Sequence, residues 1–246
     1  MLFPMTQKQI TTRLDHAMSG DRWVSFDCFG TLVDWHSGYR RILSPIAGDR
    51  TDELIRAYHD FERSIEAERP HRLYKDVLST GLMRAAEKIG VALPKEQSDV
   101  IVRNWGEQPF YKDVPSNLAA LHNAGWKLAM LTNCDNDLFA KTLAKFPVRP
   151  DLVVTAETVR SYKPELGHFT HFQQESGVER RNWIHAACSW FHDIAPARRL
   201  GVKRIWVDRD KTGHDPAAAT RVLTGVTALP TTVAELADLP APDPQP

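Results

Sequence analysis

Asp27, Thr31, Thr132, Asn133, Lys163 and Asp193 are the residues of this sequence whose types and placement could do chemistry together. A carboxylate delivered by the end of a buried strand is poised to act as a nucleophile or as a metal ligand. A lysine beside it supplies the cation that accumulating negative charge requires, and hydroxyl or amide groups supply hydrogen bonds. Each residue alone also has a plainer reading. An apolar strand ending in Asp is common, and Thr132 and Asn133 would equally cap the following helix. Lys163 before Pro164 fits a solvated loop, and Asp193 ahead of Ile194 fits a helix start favoured by the dipole.

The elements around these residues give them a common rim. Trp23-Val24-Ser25-Phe26 is an apolar run of β-capable residues that leads Asp27 into a turn containing Gly30 and Thr31. After Asp34 the pattern becomes helical. Leu54, Ile55, Tyr58, Phe61 and Ile65 keep a helical period, as do Tyr74, Val77, Leu78, Leu82, Met83 and Ala86. A third helical pattern starts near Pro94 and carries Val100, Ile101 and Trp105, with breakers at Pro70, Gly90 and Pro94. Beyond Val114, helices at 115–124, 135–146, 165–176 and 194–200 alternate with strands at 126–131, 151–155, 183–187 and 204–207. Alternation of this kind predicts an α/β fold with a doubly wound parallel sheet, a Rossmann-like core. The core would comprise 1–35 and 114–246, with a helical cap at 36–113 inserted after the first strand. In such sheets ligands sit beyond the carboxyl ends of the strands. Ile10, Leu14 and Met18 suggest a short amphipathic helix ahead of the core, and the Pro-rich tail from Pro240 suggests an unstructured end.

Asp27-Cys28-Phe29-Gly30-Thr31-Leu32-Val33-Asp34 resembles the first motif of the haloacid dehalogenase-like hydrolases. Leu131-Thr132-Asn133 resembles their second motif, Ser161-Tyr162-Lys163-Pro164 the third, and the stretch from His192 to Gly201 the fourth. The resemblance covers the chain from about Trp23 to Val207. It implies that Asp27 attacks the substrate, with Lys163 neutralising the charge and Asp193 orienting or deprotonating the hydrolytic water. Phosphatases of the superfamily carry a second Asp two residues after the nucleophile, where this sequence has Phe29. An aromatic there resembles the type II 2-haloacid dehalogenases, whose halide leaves without a proton. The implied activity is hydrolysis of a carbon–halogen bond in a small 2-haloacid through an ester on Asp27. The alternatives are a phosphatase on a small phosphate ester, or a hydrolase of another activated carbon such as a strained-ring carboxylate. A catalytically silent binding protein is a third class.

By the same resemblance, Thr132 would hold the substrate carboxylate, and Asn133 with a cap arginine would cradle the halide; Arg56 matches that arginine. Several positions depart from the dehalogenase pattern. Cys188 and Trp190 stand where a Ser and an Asn are expected, so Trp190 should shrink or reshape the pocket. Phe169 stands for a cap-facing Tyr. Ser189 replaces the second acid with which phosphatases hold Mg²⁺, so no metal and no cofactor are expected, Mg²⁺ entering only under the phosphatase alternative. Cys28, Cys134 and Cys188 each lie at a motif rim, either as small core residues or as a thiol-sensitive pocket.

Composition limits the partners. Thirty-one basic and 31 acidic side chains balance, so no global field recruits nucleic acid or a membrane surface. No apolar run approaches the roughly 20 residues that span a bilayer. Three cysteines argue against a disulfide framework, and the polar N-terminus lacks a signal-peptide core. A cytoplasmic enzyme acting on a small carboxylate is the resulting expectation, with a homodimer as an option that exposed cap helices leave open.

Overall fold

The computed structural model describes residues 20–245, so the helix expected around Ile10, Leu14 and Met18 lies outside the described residues. Six strands form one parallel sheet: β1 (Trp23–Phe26), β2 (Lys127–Thr132), β3 (Leu152–Thr155), β4 (Trp183–Ala187), β5 (Lys203–Val207) and β6 (Arg221–Leu223). Their order is β3-β2-β1-β4-β5-β6. The chain winds outward from β1 to β3, then returns to the other side of β1 and winds outward again. The reversal between β1 and β4 is the topological switch point, where open α/β sheets bind ligands. Phe26 is level with Met130 on one side and Ala186 on the other. The residues that follow them therefore emerge on a single rim. β1, β4 and β5 are buried at every position, as parallel strands covered on both faces must be.

Between β1 and β2 the described backbone is helical apart from turns, short irregular stretches and two isolated bridges, Phe29–Val33 and Val33–Phe110. Helix α1 (Trp35–Ala47) starts at Asp34, whose carboxylate accepts from the Ser37 amide at 3.0 Å. Helices α2 (Thr51–Glu66) and α3 (Tyr74–Ile89) pack against each other so closely that a Cβ on Gly81 would lie 2.9 Å from the Tyr58 ring. The third expected helix is broken. Only α4 (Val100–Arg103) and two 3₁₀ turns, Lys95–Gln97 and Trp105–Glu107, form there.

The second half follows with α5 (Val114–Asn123), α6 (Asn136–Leu143), α7 (Ala156–Val159), α8 (Gly167–Ser176), α9 (Ala195–Arg199) and α10 (Leu229–Ala237). One apolar cluster joins Tyr58, Leu82 and Trp105 of the helical segment to Phe26 and Met130 of the sheet. A second, with Leu131, Phe169 and Trp183, fills a separate part of the core. β6 escaped the sequence reading because three half-exposed edge residues carry no period. The Pro-rich tail lacks regular structure but is not loose: the Gln245 amide donates to the Arg198 carbonyl at 3.2 Å, and Arg198 Nε donates to Gln245 Oε1 at 3.0 Å. Among the described residues no helix is long and apolar enough to cross a membrane.

Candidate active site

Asp27 follows β1 and Asp193 lies in a π-helical turn, Trp190–Ile194, after β4, so the two carboxylates flank the switch point. Lys163 reaches between them from the loop after α7. Its Nζ donates to Asp27 Oδ1 at 3.0 Å, to Asp193 Oδ1 at 2.7 Å and to the Leu131 carbonyl at 2.7 Å. All three are sequestered, with Lys163 1%, Asp27 8% and Asp193 0% exposed. Burial works to lower the Lys163 pKa, but the two carboxylates raise it above the usual lysine range and keep it cationic.

One ammonium serves two carboxylates, and they do not share it equally. Against the upward push of burial, Lys163 and a hydrogen bond from His185 hold Asp193 at about 2. Burial raises the Asp27 carboxyl, Lys163 pulls it back, and the charge on Asp193 raises it again. Asp27 is thus the more basic carboxylate of the pair, and basicity favours the nucleophile. A relay behind Asp193 fixes this asymmetry. The Trp183 indole donates to Ser25 Oγ at 2.8 Å, Ser25 Oγ lies 2.8 Å from His185 Nδ1, and His185 Nε2 donates to Asp193 Oδ1 at 3.1 Å. Asp193 Oδ2 is left without a partner among the described residues.

The turn after Asp27 is tightly pinned. Thr31 Oγ1 donates to Asp27 Oδ2 at 2.8 Å and accepts from the Cys188 amide at 2.8 Å. Gly30 has φ +92°, and a Cβ there would lie 2.8 Å from Cys188 Sγ and 3.1 Å from Trp35 Nε1. Only glycine takes this backbone without strain. Arg209 donates to the Thr31 carbonyl and to both oxygens of Asp113, tying the turn to the start of α5.

These groups open into a cavity of about 640 Å³ between the sheet rim and the helical segment. Thr132 lines it with a buried Oγ1 that has no partner among the described residues, a hydroxyl free for a ligand. Asn133 lines it too, but its amide also clamps the Lys163 peptide, accepting from its N–H at 2.8 Å and donating to its carbonyl at 3.2 Å. Phe29 packs edge-on to Trp105 with centroids 4.7 Å apart. Trp190 stacks on His214 at 5.2 Å and meets Trp206 at 5.3 Å, which makes it a wall of the cavity.

Two expected residues are placed elsewhere. Arg56 is exposed and does not line the cavity; Arg63 does, at the mouth, with its guanidinium 5.3 Å from the Phe191 centroid. The two arginines share a helical stripe, but seven residues separate them by roughly 10 Å along the axis. Phe169 faces away from the cavity, packed on His185 and Trp183 in the second cluster. The cysteines differ in their access to the cavity. Cys28 and Cys134 are buried, while Cys188 lines the cavity with Sγ 3.9 Å from Asp27 Oδ2. Burial, with Asp27 adding to it for Cys28 and Cys188, pushes the thiols up, so they are protonated at neutral pH.

The rim offers Mg²⁺ a reduced donor set. Asp27 and Asp193 are bridged by an ammonium, and Ser189 Oγ sits 2.9 Å from His192 Nδ1. Among the described residues no three His, Cys, Asp or Glu side chains gather to hold a metal. Ser189 in place of an acid leaves Asp27 and Asp193 as the motif carboxylates, and both already accept from the Lys163 ammonium.

A model of the haloacid dehalogenase-like hydrolase family matches residues 22–209. The chain belongs to that family. Among solved structures, an L-2-haloacid dehalogenase shares its fold with TM-score 0.78 at 19% identity, over 88% of this chain and 100% of the other. The L-2-haloacid dehalogenase from Xanthobacter autotrophicus with chloropropionic acid covalently bound gives TM-score 0.76 at 18% identity, over 87% and 98%. A HAD phosphatase from Thermococcus onnurineus gives 0.59 at 20%, over 86% and 97%. Identities this low establish a shared fold. No curated protein sequence matches.

The sequence reading of this hydrolase missed His185, Glu62 and Glu66, and placed His192 only at the start of the fourth motif; these groups surround the pocket from behind and above. For the two glutamates a signal existed. In α2 they fall on the stripe set by Ile55, Tyr58 and Ile65, where an acidic side chain must enter the interior. His185, in the middle of an apolar strand, gave a similar hint.

Proposed function

We propose that this hydrolase displaces a leaving group from carbon through an ester on Asp27, with a small 2-haloacid as its leading substrate class. The observation that carries the reading is Phe29. The side chain two residues after the nucleophile is an aromatic ring packed on Trp105, and it has no proton to give a leaving oxygen. The metal-free form of the reaction is supported by the donor set at the rim, where an ammonium takes the place between the carboxylates. Asp27 attacks the carbon, the carbon–halogen bond breaks with its electron pair on the halide, and Thr132 Oγ1 with neighbouring amides holds the substrate carboxylate. Lys163 offsets the charge that two carboxylates bring together. Water then attacks the Asp27 acyl carbon, oriented by the unpartnered Asp193 Oδ2. The low proton affinity of Asp193 suits orientation better than abstraction.

The test is halide release from chloro-, bromo- and fluoroacetate and from both enantiomers of 2-chloropropionate, with EDTA present. An aryl phosphate with Mg²⁺ runs in parallel. The expected result is halide release that survives EDTA and falls by at least about 1,000-fold in Asp27→Asn. Phosphate release that needs Mg²⁺, with no halide from any acid, would replace this reading with a phosphatase.

A further inference from the structure

The helical wall of the cavity carries a carboxyl group that, among the described residues, no cation pairs at close range. Glu66 ends α2, is buried, and lines the same cavity as Asp27. Its Oε1 is 3.5 Å from Asn133 Nδ2, and its Oε2 is 4.0 Å from His192 Nε2. That His192 nitrogen has no hydrogen-bond partner among the described residues. Glu62, one turn earlier, is a different case. It accepts from the Tyr58 and Tyr74 hydroxyls at 2.9 and 2.6 Å, lies 2.8 Å from His59 Nδ1, and is held at about 2. Glu66 has no such array. Burial and the charge on Glu62 push it well above the carboxylate range, while Lys163, Asn133 and Arg63 oppose them only in part. Burial pushes His192 down. The acid keeps its proton and the facing imidazole stays neutral.

Position gives that proton a use. In-line displacement expels the leaving atom from the face of carbon opposite the attacking oxygen. Asp27 attacks from the sheet rim, so the leaving atom departs toward the helical wall, where Glu66 stands. A halide needs no proton there, whereas an amine nitrogen or an alkoxide oxygen does. We infer that Glu66 is the proton donor to a leaving nitrogen or oxygen, which extends the substrates to carboxylates whose reacting carbon bears an amine or ether bond. Strained three-membered rings are the simplest of these. The inference rests on displacement at carbon by Asp27. The Asp27–carbon bond forms as the carbon–nitrogen or carbon–oxygen bond breaks. The electron pair stays on the leaving atom, and the Glu66 proton joins it. Water then cleaves the ester, leaving a hydroxyl on the product and returning a proton to Glu66.

The experiment compares oxirane-2-carboxylate, aziridine-2-carboxylate and 2-bromopropionate with the wild type, Glu66→Gln and Glu66→Asp, measuring kcat, KM and intact mass. The wild type is expected to open both rings. Glu66→Gln should lower kcat for ring opening by about 100-fold or more, with a loss for bromide displacement at least tenfold smaller. Glu66→Asp, which retains an acid, should recover part of the ring-opening rate. In the wild type the ring-opening kcat should fall at high pH as Glu66 loses its proton, among Glu62, Arg63, Lys163 and His192, and this limb should vanish in Glu66→Gln. Equal losses on all substrates would make Glu66 structural and overturn the inference. Bromide release with both rings untouched by the wild type would overturn it while leaving displacement by Asp27 standing. Absence of any Asp27 ester with every compound would overturn both.

Discussion

At the scale of the residue, the site is an electrostatic competition. Lys163 lies 2.7 Å from one buried carboxylate and 3.0 Å from the other, and His185 supports only Asp193. Removing the cation would leave two buried carboxylates facing each other. Lys163→Met should therefore destabilise the protein by about 3–5 kcal/mol, the usual cost of breaking a buried pair, and abolish halide release. Urea unfolding and a halide assay check the two effects separately. The arginines give a cleaner contrast. Arg63 stands at the cavity mouth and Arg56 does not line the cavity. Arg63→Ala should raise KM for an anionic substrate several-fold, whereas Arg56→Ala should leave kcat and KM within about twofold, since surface changes away from a site act weakly. Steady-state kinetics on both variants decides it.

Elements convert these residues into geometry. β1 is four residues long and its last residue, Phe26, pairs with Ala186 of β4, so Asp27 emerges beside the strand that leads to Asp193. The turn that follows works only because Gly30 accepts φ +92° and lets Cys188 and Trp35 approach. Gly30→Ala should cost about 1–3 kcal/mol from strain and the 2.8 Å contact. It should reduce kcat by more than its effect on stability implies, because the displaced Thr31 also holds Asp27. Comparing the fall in Tm with the fall in kcat checks this. Helix α2 contributes more than scaffolding. Its last two turns bring His59, Glu62, Arg63 and Glu66 to the cavity, while its first turns face the helical core and solvent.

The whole molecule couples the site to acid stability through His168. This histidine is buried in α8 and donates from Nε2 to the Thr132 carbonyl, and burial lowers its pKa to about 3. An unfolded chain binds that proton near pH 6.5, so the unfolded state gains it first as pH falls. Stability should drop by about 1.4 kcal/mol per pH unit from this group between pH 6.5 and 3. Unfolding free energies measured from pH 7 to 4 should show a shallower slope in His168→Phe, by one proton, even though that variant is less stable at pH 7. His192 shifts in the same direction and should leave a residual slope.

The sequence by itself determined five of the six strands, two long helices of the inserted segment and the residues at the rim. Buried parallel strands are continuous apolar runs, helices repeat every 3.6 residues, and both patterns are local. Thr31, Thr132, Lys163 and Asp193 were legible because the stretches that carry them resemble the motifs of one family, although each alone has a plainer reading. Only the tertiary structure decided which carboxylate owns the ammonium. It also decided which turn of α2 meets the cavity, where Phe169 packs, and that the tail rests on α9. Those outcomes depend on distances between elements far apart in the chain. Asp193 and its supporting relay span strands β1 and β4, and Glu66 meets Asn133 and His192 across the cavity. Local periodicity carries no information about such approaches; burial and packing between elements create them.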